Sequence, residues 1–152
     1  MFKKLLKIVG TAFLLLLVLA ACLATWSYLS ASKHTKAAEP YLTKNLPEAV
    51  SWDFENLKPL LTPKALEAFE TERGQKIYEL FSRLGKLKSL EESKFLRSQS
   101  GVTTSTGIYD VVIFSTLGHF ESGDANITTT LSVVDGSYSI QAININSDIF
   151  LE

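Results

Sequence analysis

The stretch Ile127-Thr-Thr-Thr-Leu-Ser-Val-Val-Asp-Gly-Ser-Tyr-Ser-Ile-Gln-Ala-Ile-Asn-Ile145 decides the fold. Ile127, Thr129, Leu131 and Val133 alternate with Thr128, Thr130 and Ser132, the period-two pattern of a strand with one buried face. Asp135-Gly136 then supplies two residues that tolerate positive φ, the strongest short hairpin signal a sequence carries. On the return strand Tyr138 and Ile140 share one parity, whereas Ile143 and Ile145 have the other. A one-residue slip would turn every side chain to the wrong face. The spacing therefore predicts a β-bulge near Gln141-Ala142 and a strand bent by it. A strongly curved antiparallel sheet follows.

Working outward, residues 108–117 are rich in branched and aromatic side chains, as strands are. Ile108, Val112 and Phe114 fall on one face and Tyr109, Val111, Ile113 and Leu117 on the other. Residues 89–98 read as the first strand, 101–107 as a Ser/Thr-rich connection and 121–124 as a turn. Four strands in a meander result. Upstream, Thr62-Pro63 is a helix start, because threonine caps free N–H groups and proline at the first position needs none. From it Leu66, Phe69, Arg73, Ile77, Leu80 or Phe81, and Leu84 trace one helical face. Gly74 divides that helix and Gly85 suits a left-handed C-cap. Residues 30–49 are helix-prone with a bend expected at Pro40, 48–53 form a turn that buries Trp52, and 53–57 add a helical turn. Helices first, then a sheet covered on one face, make the class α+β.

The chain begins with Lys3, Lys4 and Lys7, after which residues 8–32 carry no charge. These 25 residues exceed the roughly 20 needed to cross a bilayer's hydrocarbon core as a helix. Trp26 and Tyr28 stand where aromatic belts form, and the positive-inside rule puts the N-terminus in the cytoplasm. Leu19-Ala20-Ala21-Cys22 also resembles a bacterial lipobox, with Cys22 as the lipidated residue after signal cleavage. Against that reading, residues 23–29 stay apolar where lipoproteins carry a polar tether. Both readings divide the chain into an anchor (1–32) and an exported domain (33–152), held at the membrane outside the cytoplasm. The helix-prone residues from Ser30 leave little room for a flexible tether.

The net charge of −1 hides an asymmetry, since without the three N-terminal lysines 12 basic residues face 16 acidic ones. A weakly acidic domain with no basic stripe is a poor partner for nucleic acid. Cys22 is the only cysteine, so the exported domain holds no internal disulfide and no thiolate metal site. Stability must come from packing.

The Trp52-Asp53 element, the Thr62-Pro63 helix start, Leu84-Gly85-Lys86-Leu87 and a curved meander ending in Asn146-Ser147 resemble a group of small membrane-anchored bacterial proteins of unknown function. Their exported domains are similar to the cystatin-like, or nuclear-transport-factor-like, cone. The resemblance spans about residues 37–147 and implies a pocket between sheet and helices, on a fold that hosts enzymes, binding modules and scaffolds alike. In related isomerases an Asp, Tyr or His works in that pocket, and the corresponding candidates are Tyr109, Asp110, Tyr138 and Asp53. General acid–base chemistry needs such groups to converge, which the sequence does not indicate, so no catalytic residue is assigned. His119, Glu121 and Asp124 suit a solvated hairpin tip better than a metal set; no metal or cofactor is expected. The reading is a non-enzymatic, periplasm-facing domain tethered to the inner membrane. It binds an envelope protein or a small apolar ligand in a pocket lined by Trp52, Phe69, Tyr78, Phe81, Phe114 and Ile143. The alternatives are a scaffold subunit of an envelope or secretion assembly and an isomerase-like enzyme.

Overall fold

A computed structural model describes the backbone of residues 2–103 and 107–151 and the side chains of 13–22, 25, 36–100 and 110–151. Two compact units are distinguished, Met1–Lys33 and His34–Glu152. Helix α1 (Phe2–Ala49) enters both. In the first unit the large side chains from Phe13 to Leu19 are 53–65% exposed. Among the described residues no helix is long and apolar enough to cross a membrane. The span expected over 8–32 lies mostly on residues whose side chains are outside the described set.

In the second unit α1 contributes Ala38, Leu42, Leu46 and Ala49, all buried, at spacings of four and three that make one helical stripe. The helix is assigned unbroken through Pro40 and Pro47, where the sequence suggested interruption. Each proline removes one backbone donor, and the buried stripe on both sides of Pro40 holds the helix in register. Asp53 caps α2 (Phe54–Leu57), its Oδ1 accepting the Glu55 N–H at 3.0 Å. A 3-10 turn, Lys58–Leu60, leads to Thr62, which caps α3 (Pro63–Glu70) through the Ala65 N–H.

The break between α3 and α4 (Glu72–Ser82) falls at Thr71, not at Gly74. Thr71 Oγ1 donates to the Ala68 carbonyl at 2.7 Å and accepts the Gly74 N–H at 3.0 Å, closing one helix and opening the next. The extended backbone of Thr71 rotates α4, so the face expected from the sequence fails at Arg73, Ile77 and Leu80 but holds at Phe81 and at Leu84, both buried. Arg73, Ile77 and Leu80 point outward, and Gly74, Tyr78 and Phe81 turn inward. Gly74 is needed for close approach: a Cβ would stand 2.3 Å from the Ala68 carbonyl oxygen. Gly85, past the helix end, has φ +75°, as a left-handed position requires.

Among the described residues the sheet has five strands rather than four: β1 (Leu87–Leu90), β2 (Lys94–Thr103), β3 (Gly107–Phe120), β4 (Asp124–Val134) and β5 (Ser137–Asn146). The first expected strand is two, interrupted at Glu91-Glu92-Ser93, and both pair with the same edge of the long β3. β3, β4 and β5 follow as antiparallel neighbours. Of the expected 101–107 connection, residues 101–103 belong to β2 and 104–106 lie outside the described residues. Asp135 (φ 50°) and Gly136 (φ 75°) make the β4–β5 hairpin turn with both central residues left-handed. Thr130 pairs with Ala142 but Leu131 with Ile140, leaving Gln141 as the extra residue of a bulge. The bulge restores the inward set Tyr138, Ile140, Ile143 and Ile145, and it bends the strand. Beside it Leu61 bridges Ile140, whose carbonyl accepts the Thr62 N–H at 2.9 Å. The core lies between the helices and the inner face, with Val112, Phe114, Leu131 and Ile140 in one cluster and Phe120, Ile127 and Ile145 in another.

Candidate functional site

Trp52 begins the site. Its backbone is left-handed (φ 63°), uncommon for a bulky residue, and its indole Nε1–H donates to the Gly85 carbonyl. That hydrogen bond ties the turn after α1 to the turn after α4. Around the indole, Tyr78 packs edge-on at 5.9 Å and Phe120 lies tilted at 5.6 Å. Tyr78 also meets Phe54 at 6.4 Å and Phe69 at 6.1 Å, both edge to face. Such offsets suit the ring quadrupoles. Tyr78 is the hub.

Trp52, Phe69, Tyr78, Phe81 and Ile143 all border one internal space, with Ala49 and Ile145. None of it admits a water-sized sphere, so these side chains pack on one another and enclose no open chamber. Phe114 stands apart: fully buried at the sheet centre, it packs on Phe95 at 5.8 Å. Outside the space lies an open cleft of about 330 Å³, lined by Trp52, Phe54, Phe69 and Tyr78 with Gln75, Glu79 and Ser82. Trp52, Phe69 and Tyr78 border both, forming the wall between them. Sequence reasoning missed Gln75, Glu79 and Ser82. They fall at i, i+4 and i+7 on α4, and the correct helix phase would have placed them beside Tyr78.

The Tyr78 hydroxyl is buried and, among the described residues, has no hydrogen-bond partner. Burial, and after it the negative charge of Asp53, push its pKa up to about 12, so at neutral pH it is an uncharged donor. Of the other candidates, Asp53 is exposed and serves as a cap, and Asp110 is exposed on β3. Tyr138 is half-buried and lies tilted against Tyr41 at 5.7 Å. The side chain of Tyr109 is outside the described set. His119 Nδ1 lies 2.7 Å from Asp124 Oδ1, and Nε2 lies 3.6 Å from Glu91 Oε1. Glu121 instead accepts the Lys86 N–H at 3.0 Å. Among the described residues no group of three or more His, Cys, Asp or Glu side chains could hold a metal. Cys22 is exposed on α1.

A larger groove of about 470 Å³ runs between α1 and β1, over Leu42, Leu46 and Leu90 with Glu39, Glu91 and Glu92 on its lining. Two of its polar groups, the Ser93 and Thr116 hydroxyls, bond each other at 2.7 Å. The aromatic cleft is smaller but has a buried polar atom still without a partner at its wall, the feature that gives orientation in small-molecule sites. Comparison with protein-family models, curated proteins and solved structures found no match.

Proposed function

We propose that this is a non-enzymatic binding domain tethered to the bacterial inner membrane, facing the periplasm, that takes a small apolar ligand at the Trp52–Phe69–Tyr78 cleft. The convergence of these three rings on one open cleft carries the reading. Its water-admitting volume of about 330 Å³ reaches the range of roughly 300–1,000 Å³ usual for small-molecule sites, which are mostly apolar with a few placed polar groups. Support for the tether comes from the uncharged residues 8–32 and from the run Phe13–Leu19, exposed throughout on a helix. Leu, Val and Phe each favour insertion at the bilayer centre by roughly 0.3–0.6 kcal/mol. The lysines at 3, 4 and 7 favour a cytoplasmic N-terminus.

The isomerase alternative has less support, because Asp53 and Asp110 are solvent-exposed and Asp53 is engaged as the cap of α2. Scaffolding would draw on the α1–β1 groove and its three carboxylates, with a basic segment of an envelope protein as occupant. The direct test follows the Trp52 indole N–H resonance of the full chain in lipid nanodiscs during titration with 2-ethylnaphthalene. A saturable shift is expected; an unmoved resonance would overturn the ligand site.

A further inference from the structure

Three features meet in the groove between α1 and β1. Its floor is apolar, made by Leu42, Leu46, Leu87 and Leu90, and about 470 Å³ of it is open to water. Its charged groups are Glu39, Glu91 and Glu92, with no lysine or arginine among the described residues that line it. Along one side runs β1, which among the described residues pairs with β3 alone and so stands at the end of the sheet. Alternate backbone N–H and C=O groups of such a strand face away from its partner. We infer that an extended basic segment of a partner protein occupies this groove, adding to the free edge of β1. Its apolar side chains rest on the leucine floor and a lysine or arginine lies among the carboxylates. The proposal gives the scaffolding reading a mode of contact. It is independent of the aromatic cleft, with which the groove shares no lining residue.

The groove offers acceptors and lacks cations. Glu91 Oε1 lies 3.6 Å from His119 Nε2, while Glu39 and Glu92 are exposed and have no ion-pair partner among the described residues. Pro47 has no N–H, so the Thr43 carbonyl one turn earlier loses its helical donor, and both residues lie on the lining. A segment with ammonium or guanidinium groups matches such a surface, whereas an acidic one is repelled by it. The Ser93 and Thr116 hydroxyls are already bonded to each other, which leaves the edge of β1 to fix direction. Strand addition draws affinity from main-chain hydrogen bonds and selectivity from alternate side chains. The interruption at Glu91-Glu92-Ser93 puts two of the carboxylates at the end of β1, where an added strand runs past them.

The test uses the full chain in nanodiscs of zwitterionic phosphatidylcholine, with labelled leucine methyls and backbone amides. The probe is a short blocked peptide of alternating lysine and valine. It is compared with a glutamate–valine peptide, with the lysine–valine peptide N-methylated throughout, and with lysinamide. Saturable shifts from the lysine–valine peptide are expected at the Leu42, Leu46 and Leu90 methyls and at the Ser89 and Leu90 amides. Leu66, which lines neither groove nor cleft, should stay unmoved, and its unaltered methyl shows that each variant is folded. Glu39→Gln with Glu92→Gln should weaken binding about tenfold, as the loss of two exposed ion pairs implies. Glu55→Gln with Glu67→Gln removes the same charge elsewhere on the exposed surface and should leave binding unchanged. Equal weakening by the two double variants would reduce the effect to net charge and overturn the site, as would equal binding of the glutamate–valine peptide. Undiminished binding of the N-methylated peptide would overturn strand addition. Equal binding of lysinamide would overturn the segment in favour of a small cation. No shift at the groove would overturn the proposal and leave the cleft, followed separately at Trp52, standing.

Discussion

At the scale of single residues, two buried hydroxyls lack partners among the described residues, and they differ in meaning. Tyr78 sits at a cleft, whereas Thr129 is fully buried on β4 between its register partners Phe114 and Ile143. Thr129 lines neither the cleft nor the groove, so its hydroxyl is only a cost. Thr129→Val should raise stability by about 1 kcal/mol, the penalty of an unsatisfied buried hydroxyl, seen as a higher urea midpoint at constant slope; a lower midpoint would show that the hydroxyl is satisfied. His119 makes a pH-dependent contribution. Its hydrogen bond to Asp124 raises the pKa above 6.5, aided by Glu91 and opposed by desolvation. The folded state thus binds the proton more tightly. The contribution is complete below the unfolded value and is lost as pH rises through the raised folded value. The urea midpoint should fall as pH rises above about 6.5, and His119→Gln should flatten that fall. An identical slope in both proteins would contradict the assignment.

At the scale of elements, the sheet's curvature was legible where chemistry forces it. Asp135-Gly136 has few alternatives to a tight hairpin, and the parity change between Ile140 and Ile143 has one economical solution, an extra residue at Gln141. Deleting Gln141 should keep Tyr138, Ile140, Ile143 and Ile145 on one face of an unbulged strand but remove the bend that fits it to the helices, lowering the thermal midpoint while unfolding stays cooperative; an unchanged midpoint would contradict this. Less legible was the α3–α4 junction. Glycine is the conspicuous helix breaker in residues 63–82, but Thr71 ends the helix because its side chain can serve both caps at once. One misplaced break changed the phase of α4 and concealed the cleft's rim. Gly74 has a different use, as Gly74→Ala would drive a methyl into the α3 backbone. A loss of about 1–3 kcal/mol is expected from such overpacking, measured by chemical denaturation. Likewise Glu91-Glu92 divides the first strand, a tertiary consequence of β3 being long enough to serve two partners along one edge.

At the scale of the whole molecule, aromatic content pointed to Trp52, Phe69, Tyr78 and Phe81, which with Ile143 are neighbours around one space. It could not distinguish a lining residue from Phe114, because both are apolar and strand or helix phase alone does not give depth in a core. Nor could it reveal that the interior is closed, since that depends on how α4 is rotated. The tether is an independent part of the account. Intact mass of the purified protein separates its two forms: a full-length chain is expected for the spanning helix, and a product beginning at lipidated Cys22 would replace that form with a lipoprotein. The central claim is that the Trp52–Phe69–Tyr78 cleft binds a small apolar molecule. Gln75 is exposed on its rim, so Gln75→Trp should obstruct the entrance without entering the core. The most direct measurement compares organic extracts of the wild-type and Gln75→Trp proteins, each isolated as the full chain from its own membranes, by mass spectrometry. A neutral apolar compound should be enriched with the wild type and reduced about tenfold with the variant, a loss of about 1.4 kcal/mol in binding; identical extracts from two equally folded proteins would contradict the claim.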